Sequence, residues 1–96
     1  MSPLKKKKLN KIRHELDRLD NSFIKLIKKR TDLVKKVLAL KDKKSQIIDQ
    51  KRIKKILKDI RKKSLMNKID PKITNRIWKN MIWSYIDFEK RNFKKK

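Results

Sequence analysis

From Leu9 to Leu40, apolar side chains recur in two columns, each stepping seven residues at a time. One column is Leu9, Leu16, Phe23, Arg30 and Val37; the other is Ile12, Leu19, Leu26, Leu33 and Leu40. Such a repeat is the seam of a long amphipathic helix. No Gly or Pro interrupts it before Asp42. At 1.5 Å per residue, a helix from Leu9 to Lys41 is about 50 Å long. A chain of 96 residues has too little else to cover that stripe. The helix is therefore expected to pack against a second copy of itself.

The remainder reads as two further helices. The chain has no Gly and two Pro, whereas a β-rich fold would want Gly for its hairpin turns. Residues 42–48 form a polar connector that turns apolar at its end. Asp49 is placed to cap a second helix, with Ile53, Ile56, Leu57 and Ile60 on one face. This helix fades between Ser64 and Asn67. Asp70-Pro71 is a cap followed by Pro at a first helical position, and a third helix runs from there to about Arg91. One of its stripes is Ile73, Ile77, Met81 and Phe88; another is Trp78, Ile82, Tyr85 and Glu89. Residues 1–8 read as a disordered basic tail, 9–91 as one all-α domain, and 92–96 as a basic C-terminal tail.

Several functions are excluded or disfavoured by composition. There is no Cys, so no disulfide, thiol nucleophile or Cys-based metal site. The single His14, read as a surface residue, cannot build a zinc site alone. No run reaches the roughly 20 apolar residues of a membrane span, and no signal-peptide core follows the basic start. A cytoplasmic protein is expected. The net charge of +23 suits a polyanion such as nucleic acid. Yet Lys dominates over Arg and is spread along the whole chain, as compositional bias alone would leave it.

The informative residues are polar ones in apolar places. Arg30 stands in the seam, where a lone guanidinium is costly unless an anion meets it. A neighbouring acid, an outward-reaching side chain or a ligand would each serve. Lys41 is eleven residues on, almost three turns and about 16 Å along the same face. Two long cations leaning together there could grip one small dianion. Arg13 is about 25 Å from Arg30 along the helix and could reach that ligand only from a partner in an antiparallel dimer. Glu89 closes the Trp78–Ile82–Tyr85 stripe. Asp49 caps a helix, and Arg52 reads first as surface charge. Trp78 and Trp83 could stack on bases, but their spacing reads first as core. Nothing resembles a nucleophile–base pair, so chemistry here would rest on positioning and electrostatics.

The stretch IRHELDRLDNSFIKLIKKR, then Lys41, DQKR at 49–52 and IWSYIDFE in the third helix, resembles the all-helical (AroQ-class) chorismate mutases. The likeness covers about residues 9–91. It is strongest at Ile12, Arg13, Leu16, Asp17, Leu19 and Asp20. The resemblance implies an intertwined antiparallel homodimer that converts chorismate to prephenate without cofactor or metal, in phenylalanine and tyrosine biosynthesis. It implies that Arg30, and Arg13 from the partner chain, bind the two carboxylates. Lys41 and Glu89 would be the donors to the ether oxygen. Asp49, Arg52, Tyr85 and the position of Ile53 would line the pocket. Three departures stand out. Ile53 replaces the Glu that meets the substrate's ring hydroxyl, and Tyr85 replaces a common Ser. Glu89 donates to an oxygen only when it carries a proton. The alternatives are an isochorismate–pyruvate lyase on the same fold, a degenerate relative without activity, and a non-catalytic helical protein that binds nucleic acid.

Overall fold

The computed structural model describes residues 1–94. Among them the chain forms three α-helices and no strand: α1 (Pro3–Ala39), α2 (Gln50–Met66) and α3 (Pro71–Asn92), with a short 3-10 turn at Lys44–Gln46. The all-α, three-helix architecture is the one expected. The end of the expected C-terminal tail, Lys95 and Lys96, lies outside the described residues.

Two boundaries differ from the sequence reading. Residues 3–8, expected as disordered tail, are the first turns of α1. The reason is local: Ser2 accepts from the Lys5 amide through its Oγ at 3.2 Å and from the Lys6 amide through its carbonyl at 2.9 Å. Pro3 follows at a position where a missing N–H costs nothing. At the other end, α1 stops at Ala39, so Lys41 is past the helix and does not continue its phase. The last turn tightens into i→i−3 bonds, Leu40 N to Val37 O at 3.0 Å and Lys41 N to Leu38 O at 3.1 Å.

The chain divides into two compact units, residues 1–33 and 34–96. In the first unit the seam of α1 is bare. Ile12, Leu16, Leu19, Phe23, Leu26 and Leu33 are all exposed, while Arg30 is half-buried. His14 is exposed, as expected for a surface residue.

The second unit holds the core. Ile47, Ile82 and Ile86 are buried, with Leu38, Ile48, Ile53, Ile56, Leu57 and Phe93 packed against them. The apolar face expected of α2 is thus the face that meets α3. Both helix starts follow their sequence signals: Asp49 Oδ1 accepts from the Arg52 amide at 3.0 Å and Asp70 Oδ1 from the Lys72 amide at 2.9 Å. Helix α2 ends in a left-handed residue, Lys68 (φ 56°). Lys68 N bonds Leu65 O at 3.2 Å and Ile69 N bonds Ser64 O at 2.8 Å, the paired closure in which Gly is usual. A chain without Gly makes this turn with a residue that has a Cβ. Buried Ser64 then ties the two helices together. Its hydroxyl meets Ile60 O and Thr74 Oγ1, each at 2.6 Å.

Candidate active site

Lys41 follows the last turn of α1, and the segment after it is held by one side chain. Gln46 Oε1 accepts from the backbone amides of Asp42 and Lys43, at 2.8 and 2.9 Å. These bonds satisfy donors that a connector without Gly would otherwise leave to water. They also fix the chain immediately beyond Lys41. Ile47 anchors the other end of the turn by burial in the core.

Glu89 arrives from α3. Ile82, Ile86 and Glu89 are the three buried residues of that helix. They are spaced i, i+4, i+7 and so share one face. The first two enter the core, and the third carries a carboxyl to its edge. There Lys41 Nζ donates to Glu89 Oε2 at 2.6 Å, across 48 residues of sequence. The Lys41 side chain is 18% exposed and that of Glu89 10%. The pair is therefore largely screened from water, and its charge-assisted bond is correspondingly strong. By contrast, the pairs Lys28–Asp32, Lys55–Asp59 and Arg91–Asp87 join residues four apart on exposed helix faces.

This arrangement presents a cation and a carboxyl side by side. Lys41 can donate to a ligand oxygen directly. Glu89, which accepts from Lys41 here, can donate to the same oxygen only with a proton on it. No cluster of His, Asp and Glu suited to a metal ion occurs among the described residues.

Across residues 12–90 the chain matches the family model for chorismate mutase type II. The chain belongs to that family. None of the curated proteins and none of the solved structures searched matches the chain. Membership in the chorismate mutase family accounts for the three-helix architecture, and its span takes in α2 and all but the ends of α1 and α3.

The residues that the sequence singled out fall in both units. Arg13 and Arg30 belong to the first, where Arg13 is exposed. Lys41, Asp49, Arg52, Ile53, Tyr85 and Glu89 belong to the second. Of these, Lys41 and Glu89 bond each other through their side chains in the geometry given above. Asp49 and Arg52 are exposed, and their bond is the helix cap, made by the Arg52 amide. Tyr85 is half-buried. Ile53, where the family usually has a Glu, packs against the core cluster. An apolar side chain there adds to the core what it removes from any polar contact.

Two residues were read differently from the sequence. Gln46 was overlooked; its signal was its place three residues after Lys43, the spacing of a side chain that reaches back to a cap amide. Both tryptophans read first as core. Trp78 is half-buried, but Trp83 is 49% exposed.

Proposed function

We propose that this protein catalyses the rearrangement of chorismate to prephenate, as a homodimer paired through α1. The observation that carries the reading is the Lys41–Glu89 pair. Two groups 48 residues apart meet at 2.6 Å, at the positions where the family resemblance expects the donors to the substrate's ether oxygen.

The reaction is intramolecular. The bond from the ether oxygen to the ring breaks while a carbon–carbon bond forms, so negative charge gathers on that oxygen in the transition state. Lys41 stabilises this charge more than it does the neutral ground-state ether, and that difference lowers the barrier. Arg30 and Arg13 of the partner subunit would hold the two carboxylates and fold the side arm over the ring. Glu89 adds a second donor in its protonated form.

Exposure supports the dimer. An apolar seam running from Ile12 through Leu33 is bare in the single chain. Bare apolar stripes of this length mark an association surface. A second α1 running antiparallel offers a matching seam and brings in its own Arg13.

The test is the loss of chorismate absorbance with purified protein, prephenate confirmed as product, and isochorismate run in parallel. Wild type should turn over chorismate, and Lys41→Ala should lose about a hundredfold or more. Pyruvate release from isochorismate, without prephenate from chorismate, would instead assign the lyase reaction. No turnover of either substrate at acidic and neutral pH would refute the enzymatic reading.

A further inference from the structure

Trp83 has no place in the core or in the proposed chemistry, yet it shares a face with basic residues. Lys72, Arg76, Lys79 and Trp83 lie within an arc of about 60° on α3 and span about 16 Å of its length. All four are exposed. Beside the first of them, α2 and α3 enclose a cleft of about 450 Å³ lined by Lys58, Arg61, Lys72 and Asn75, with Leu57 and Pro71 as its apolar part. A second hollow of about 480 Å³ shares Lys72 and Asn75 and is completed by Ile73 and Arg76. Cleft and stripe therefore form one continuous strip within the second unit.

The Asp70 carboxylate accepts from the Lys72 backbone amide and not from its ammonium in the bond the structure shows. Among the described residues Lys58, Arg61, Lys72, Arg76 and Lys79 take part in none of the ion pairs. The acids nearest in sequence are occupied: Asp59 pairs with Lys55, Asp87 with Arg91, and Asp70 caps α3. Pairing of a second copy need not cover the strip. Of the exposed apolar residues of α3, Ile77 is turned about 140° away from Lys72 round the helix, while Ile73 borders the second hollow.

We propose that this strip binds single-stranded nucleic acid. Lys58, Arg61, Lys72, Arg76 and Lys79 take backbone phosphates, and Trp83 stacks on a base. A row of cations ending in an exposed indole is the combination that single strands require, because phosphates give affinity and every base offers a π-face. An anionic membrane would call for a broad apolar face beside the cations, whereas this stripe carries one aromatic residue. The site is separate from the pair at Lys41 and Glu89, so it stands or falls independently of the mutase reading.

The experiment is fluorescence anisotropy of a labelled single-stranded RNA of mixed sequence, and its DNA equivalent, titrated with the full-length protein. Trp83→Ala, Trp83→Phe and the pair Lys72→Ala with Arg76→Ala are compared at several salt concentrations. Circular dichroism and thermal unfolding show that the variants fold. Trp83→Ala should weaken binding by about 5- to 150-fold and Trp83→Phe by much less. Removing two phosphate contacts should lower the slope of log affinity against log salt by about 1.4. Three results would overturn the proposal. They are no binding at moderate salt, binding that ignores Trp83→Ala and is matched by polyglutamate, and tighter binding to vesicles containing phosphatidylserine than to either oligonucleotide.

Discussion

Replacing Glu89 with Gln separates the two states of that residue. In the structure its Oε2 accepts from Lys41 Nζ at 2.6 Å, with the Glu89 side chain only 10% exposed. A carboxylate in that place satisfies Lys41 but offers the ether oxygen no hydrogen. Catalysis by both donors requires a hydrogen on Glu89, which a carboxylate lacks. A Gln amide keeps an oxygen for Lys41 and always presents N–H donors. Its profile against pH should be flat. An oriented donor at a developing oxyanion is worth about 2.7–4 kcal/mol, or a factor of 10² to 10³. Where Glu89 is a carboxylate, Glu89→Gln should therefore exceed wild type by up to about that factor. Where Glu89 carries a proton, the two should match. The assay is kcat for chorismate turnover at saturation, measured from acidic to alkaline pH for both proteins. A flat wild-type profile that the variant reproduces would remove Glu89 from the mechanism.

Three other perturbations address the scaffold. Gln46→Ala removes the acceptor for two backbone amides, which should cost about 1–2 kcal/mol in urea unfolding and lower kcat more than it raises KM. Leu19→Asp with Leu26→Asp places charges in the bare seam of α1, and sedimentation should show monomers without turnover. Lys68→Gly relieves a left-handed residue with a Cβ and should stabilise the protein by about 1 kcal/mol, visible as a higher Tm.

The helices were legible because their signals are local. Asp49 and Asp70-Pro71 announce their helix starts within a few residues, and both caps form as read. The start of α1 at Pro3 was masked by the lysines that follow. A run of like charges suggests disorder, but Lys is a good helix former and Ser2-Pro3 is a sound cap. The end at Ala39 was not legible. No Gly or Pro marks it, and it depends on Gln46, seven residues later, reaching back to the connector.

The site divides in the same way. Arg30 stood out against an apolar seam, and Glu89 against an aromatic stripe, because helical phase exposes a misplaced charge. That Lys41 and Glu89 meet could not be read from phase at all. It depends on α3 crossing the connector at the edge of the core, which Ile47, Ile82 and Ile86 determine together. Their small apolar cluster therefore has a double function. It holds α2 against α3, and it delivers a carboxyl from one end of the unit to the ammonium at the other. With so few buried residues, a change of shape in that cluster should displace Glu89 before it unfolds the chain. Ile86→Ala, one turn before Glu89 on the same face, is the sharpest case: removing a buried Ile side chain costs about 2–5 kcal/mol. Activity lost at temperatures where circular dichroism still reports full helix would show that packing, and not charge alone, places the donor.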